Sequence, residues 1–130
     1  MIGLDTNVLL RWLVRDVPEH VVAADAVMAS LSVERPGFVT QVTVVEMAWA
    51  LRSTYQRTKT EVLDVLEALL RTRELEFDDG ESMWEAVVHA RAGADFADAL
   101  IAETFRLYGV EESVTFDRDA ARRFGMRLLG

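Results

Sequence analysis

Four carboxylates stand at positions where side chains can do chemistry: Asp5, Glu46, Asp98 and Asp117. Asp5 and Asp117 each follow a short apolar run, residues 2–4 and 113–116, that reads as a strand. In an open α/β sheet, ligands sit beyond the carboxyl ends of the strands, and both acids project there. Each also has a plainer use, because Asp is a favoured helix N-cap and turn residue. Glu46 is the single charge in Val42-Thr43-Val44-Val45-Glu46-Met47-Ala48-Trp49-Ala50-Leu51. A helix that is apolar nearly all round is expected to be buried. A buried ion is costly unless it is metal-bound or paired, here with Arg11 or Arg52. Asp98 repeats the anomaly in the apolar helix start at residues 94–102. Asp95, three residues earlier on the same face, is accounted for as the N-cap.

Gathered in one place, these acids would carry an electrostatic penalty. Two carboxylates ~4 Å apart repel by about 4 kcal/mol at an effective dielectric near 20. Several in one crevice either raise their pKa values or recruit a divalent cation. All-oxygen donors favour Mg²⁺ or Mn²⁺ over Zn²⁺. The chain has no cysteine, and its two histidines, His20 and His89, read as surface residues in helices with no partner at metal spacing.

The elements that must position these acids alternate strand and helix, which predicts an α/β domain with a mainly parallel sheet of four or five strands. Strands are expected at residues 2–4, 37–40, 75–77, 113–116 and, as an edge, 127–129. Helices are expected at residues 7–14, from Pro18 to about 31, 41–54, from the capping box Thr58-x-x-Glu61 to about 72, 81–92, from Asp95 to Gly109, and 119–124. The Asp78-Asp79-Gly80 segment reads as a turn, and Gly93 and Gly125 as helix stops.

At 130 residues the chain suits a single domain over 1–130, able to bury roughly two-thirds of its unfolded surface without staples. The absence of cysteine excludes a disulfide scaffold, thiolate metal sites and a cysteine nucleophile. No apolar run approaches the ~20 residues that span a bilayer, and Met1-Ile2-Gly3-Leu4-Asp5 lacks the basic start of a secretory signal. A reducing, cytoplasmic location with no membrane association is expected. The formal net charge is −8, the wrong sign for binding nucleic acid by bulk electrostatics. Either a partner is cationic or acids are concentrated where a metal neutralises them. Lys59 is the lone lysine among 14 basic residues; the rest are arginine, the better bidentate phosphate donor.

In their order along the chain these residues are similar to a known family. Leu4-Asp5-Thr6-Asn7-Val8-Leu9 resembles the opening of PIN-domain ribonucleases, specifically the VapC-type toxins of bacterial toxin–antitoxin modules. Glu46 after Thr40 and Thr43, Asp98-Ala99-Leu100-Ile101-Ala102, and Thr115-Phe116-Asp117-Arg118-Asp119 match the family's later acidic stations. Ala97 departs from relatives that have an aromatic residue before the third acid. The resemblance implies a PIN-like α/β/α sandwich in which Asp5, Glu46, Asp98 and Asp117 hold Mg²⁺ or Mn²⁺ and hydrolyse RNA phosphodiester bonds. Asp95 and Asp119 would be auxiliary, and Thr6, Asn7 and Thr115 would order the site or serve as caps and turn residues. Arg11, Arg15, Arg118, Arg122 and Arg123 flank the first and fourth stations, where they would contact phosphates or form a solvated face.

The same resemblance implies a cognate antitoxin presenting a basic side chain to the acids, a partner suited to a chain of net charge −8. Apolar surplus around Trp12, Trp49 and Trp84 is expected in the core, with antitoxin binding or a homodimer as the other use. A PIN nuclease of RNA maturation is the nearest alternative. An Asp-based phosphotransfer enzyme is a poorer fit: Asn7 stands where a second Asp is wanted, and Lys59 follows no expected strand. A binding module whose acids merely cap helices would take up Mg²⁺ negligibly.

Overall fold

A computed structural model describes residues 1–130 as seven helices and five short strands in the order β1 (Ile2–Gly3), α1 (Thr6–Val14), α2 (Pro18–Ser30), β2 (Gly37–Val39), α3 (Gln41–Ser53), α4 (Lys59–Leu70), β3 (Leu75–Phe77), α5 (Gly80–Arg91), α6 (Phe96–Leu107), β4 (Val114–Thr115), α7 (Arg118–Phe124) and β5 (Arg127–Leu128). All pairing is parallel, in one ladder of order β1-β2-β3 and a second of β4-β5. Parallel neighbours need crossover connections, and the helices between successive strands supply them. The mixed α/β class and the parallel pairing match the sequence expectation, while the five strands form a three-stranded and a two-stranded sheet rather than one sheet of four or five. No helix is long and apolar enough to cross a membrane.

The chain forms two compact units, Met1–Gly80 and Glu81–Gly130. In the first, β2 is the middle strand, and Ile2 and Phe77 are brought into register with it through Gly37 and Val39. Leu9, Met47 and Leu66, from α1, α3 and α4, are fully buried. The Thr58 hydroxyl accepts from the Glu61 amide while the Glu61 carboxylate accepts from the Thr58 amide, closing the expected capping box. Asp79 takes the left-handed conformation, φ 56°, at the turn before α5.

At Gly37 the sheet leaves little room for a side chain. A Cβ there would lie 2.7 Å from Leu4 Cδ1 and 3.0 Å from both Leu31 Cδ1 and Leu75 Cδ2. All three leucines are buried, so they have little room to yield. Gly37→Ala is expected to cost about 1 kcal/mol, the low end of overpacking penalties, read as a lower urea midpoint at unchanged m-value.

In the second unit, Met83, Ala86, Val87 and Ala90 of α5 and Ala99 and Leu100 of α6 are buried. Asp95 caps α6, its carboxylate accepting from the Asp98 amide at 3.0 Å. Asp117 caps α7, accepting from the Ala120 amide at 3.0 Å. Gly125 ends α7 in the left-handed conformation, φ 67°, as a helix-stop glycine should.

Candidate functional site

In the first unit the acids sit on two elements. Asp5 lies at the N-cap position of α1, two residues beyond the end of β1, yet its side chain makes no capping hydrogen bond. The simple capping role open to it from sequence is therefore not realised, and its exposed carboxylate is left uncommitted. Glu46 lies one turn into α3 and accepts a hydrogen bond from the Thr6 hydroxyl at 3.1 Å. Asp5, Thr6, Asn7, Leu10, Val45, Glu46, Trp49 and Ala50 together line a cavity of about 540 Å³.

Two expectations about α3 are corrected. Glu46 is exposed rather than buried, because α3 buries one stripe (Thr43, Val44, Met47, Ala48 and Leu51). Val42 and Trp49 stand outside that stripe, at 68% and 66% exposure, and made the helix look apolar all round. Trp49 thus leaves the core, while Trp12 and Trp84 are half-buried. Nor does Glu46 pair with arginine. Arg11 donates to Asp16 and to the Tyr55 hydroxyl, and Arg52 to the Arg57 carbonyl.

In the second unit Asp98 is half-buried on the first turn of α6. Burial pushes its carboxyl above its ordinary value, and the negative charges of Asp95, Asp117 and Asp119 push it further in the same direction. A helix N-terminus favours an anion by about 0.3–1 kcal/mol; here desolvation and like charge outweigh it. Asp119 is committed differently. Arg122 and Arg123 donate to its two oxygens at 2.6 and 2.8 Å and, Arg123 foremost, hold its carboxyl below the ordinary value. The Thr115 hydroxyl accepts from the Asp117 amide at 3.0 Å, fixing the turn from β4 into α7.

None of Asp5, Glu46, Asp98 and Asp117 is paired with a cation, whereas Asp16, Asp25, Glu112 and Asp119 each are. Uncompensated carboxylate oxygens are the kind of donor that a hard divalent ion takes. Of the arginines expected at phosphates, Arg15 makes a two-pronged contact with Asp25 at 2.9 and 2.8 Å, and Arg11, Arg122 and Arg123 are held as above. Only Arg118, exposed at the start of α7, carries no such partner.

His20 is exposed, as expected, but His89 is not solitary. Glu85, His89 and Glu103 place one ligand atom each within 4.8 Å of one another. Glu85 and His89 are four residues apart and share a helix face, a spacing legible in the sequence; Glu103 arrives from α6 and was not.

No curated protein and no solved structure matches the chain. The family model described as PIN domain matches residues 2–125, a span containing all four acidic stations and nearly all of both compact units. The chain therefore belongs to the PIN domain family.

Proposed function

We propose that this PIN-domain protein is a Mg²⁺- or Mn²⁺-dependent ribonuclease, the toxin of a toxin–antitoxin pair, with Asp5, Glu46, Asp98 and Asp117 as its metal-holding carboxylates. PIN domains are in general metal-dependent nucleases, and membership of the family supports a hydrolase. The observation that supports the metal part of this reading is the state of the four acids, all of them without a cationic partner. In Asp98, burial and like charge even oppose ionisation. At Asp98 this disfavours the ionised carboxylate, and a divalent cation relieves it.

A divalent ion bound there supplies the charge that lowers the pKa of an attacking water and offsets negative charge building on the phosphate. The chain's own residues do the rest. Thr6 orients the Glu46 carboxylate, Asp95 and Asp117 cap the helices that carry Asp98 and Arg118, and Arg118 is free to meet a substrate phosphate. The net charge of −8 suits an antitoxin that presents a basic side chain. The exposed indole of Trp49, in the same cavity as Asp5 and Glu46, offers apolar surface to that partner or to a second copy of the chain.

The test is metal removal. Protein stripped with EDTA is expected to leave RNA intact, and added Mg²⁺ or Mn²⁺ to restore cleavage. Cleavage that persists in EDTA contradicts the proposal. Absence of affinity for the product of a neighbouring small gene would remove the toxin role and leave the nuclease.

A further inference from the structure

The second unit carries another group of metal-ligating side chains, on a different face of α6 from Asp98. Glu103 lies five residues after Asp98, roughly 140° around the helix and about 7.5 Å along it. We propose that Glu85, His89 and Glu103 form a second, independent cation site that takes Zn²⁺ or a similar borderline transition ion.

Its geometry is close to what such an ion needs. His89 Nε2 and Glu103 Oε1 are 3.2 Å apart. Two donors about 2.0–2.1 Å from a tetrahedral ion are separated by about 3.3 Å. The third donor atom, from Glu85, lies within 4.8 Å of the other two on an exposed side chain that swings without disturbing the core. The imidazole is already oriented, with the Phe124 ring packed edge-on at 5.4 Å and 84°.

Glu103 makes the stronger case. Its side chain is only 11% exposed, and its one hydrogen-bonding partner is the His89 ring. Of the arginines lining the same cavity, Arg123 turns to Asp119 and the Ala92 carbonyl, Arg127 pairs with Glu112, and the exposed Arg106 makes no ion pair with Glu103. A carboxylate withdrawn from water needs a compensating charge, and a divalent ion shared with the His89 ring supplies it. His89 and Glu103 line a cavity of about 850 Å³, which gives an entry path and room for water to complete the coordination. One nitrogen among the donors favours Zn²⁺ over Mg²⁺, so the site differs in metal preference from the all-oxygen one.

Zn²⁺ titration calorimetry on the chelator-stripped full chain, with Co²⁺ absorption as a second readout of coordination, tests this assignment. With excess Mg²⁺ present to occupy the carboxylate site, one equivalent of Zn²⁺ is expected to bind to wild type and to Asp98→Asn alike, and to bind about tenfold or more weakly in His89→Ala and Glu103→Gln. Glu85→Gln alters only an exposed carboxylate, so it keeps the test readable if His89→Ala unfolds, and it too is expected to weaken binding. Wild-type affinity in Glu85→Gln and Glu103→Gln, or Zn²⁺ binding that disappears only in Asp98→Asn, overturns the proposal. RNA cleavage is not part of this readout, so its failure and that of the nuclease reading are separable.

Discussion

Asp98→Asn is expected to lower RNA cleavage by about 10²–10³-fold while making the ion-free protein more resistant to heat at neutral pH. The loss comes from removing one carboxylate from the metal-holding set. Metal charge stabilisation is worth several kcal/mol, and each 1.36 kcal/mol is tenfold in rate. The gain in stability comes from the sign of the Asp98 shift. Burial, followed by the charges of Asp95, Asp117 and Asp119, raises its carboxyl in the folded state, so the folded state binds that proton more tightly than the unfolded chain does. Asp98 therefore favours folding most at low pH, and this contribution is lost as pH rises through the raised value. An amide cannot ionise, so the variant is expected to melt above wild type at neutral pH, the gap closing on acidification. Added Mg²⁺ is expected to raise the melting temperature of wild type and leave the variant nearly unchanged. Thermal scans across pH, with and without Mg²⁺, check both effects; a variant less stable than wild type at neutral pH contradicts the electrostatic account. Asp25, Glu61 and Asp119 shift downward and lose stability as pH falls, so the difference between variant and wild type, not the absolute profile, isolates Asp98.

The second large effect belongs to the other unit. Asp5→Asn is expected to reduce cleavage by about 10²-fold or more with an ion-free melting temperature close to wild type, because the Asp5 side chain makes no capping hydrogen bond to lose. Glu46→Gln separates charge from geometry. The substituted amide oxygen still accepts from Thr6, as Glu46 does at 3.1 Å, so lost cleavage there reports the missing charge. Thr6→Val leaves the charge and frees the carboxylate, and is expected to cost less, about tenfold. Steady-state cleavage of one defined RNA by all three variants checks the ranking. Full activity in Asp5→Asn would show that this acid is idle.

Much of this arrangement was legible in the sequence because local chemistry decides it. The capping box at Thr58 and Glu61, the N-cap at Asp95 and the helix stop at Gly125 are short-range hydrogen-bond and backbone effects, and each formed where the residue types require. Strand β3 coincides with the expected residues 75–77. The ends of β1 and β4 fall one residue short, so one more residue separates each of Asp5 and Asp117 from its strand than expected.

What was hidden depends on which face of a helix the rest of the chain covers. Glu46 looked buried because Val42 and Trp49 are apolar, yet packing selects the stripe through Val44, Met47 and Leu51. Its value as a candidate survives on a different ground, the Thr6 hydrogen bond and the cavity it shares with Asp5. The arginines show the same limit, since Asp25 and Asp119 engage Arg15, Arg122 and Arg123 in contacts that residue type alone does not reveal. Glu103 meets His89 only through tertiary structure.

Mg²⁺ titration calorimetry of wild type, Asp5→Asn and Asp98→Asn puts the main claim at risk most directly, since Mg²⁺ discriminates against the imidazole-containing site. Both variants are expected to bind Mg²⁺ at least about tenfold more weakly than wild type. A variant from either unit that takes up Mg²⁺ with wild-type affinity would contradict the assignment.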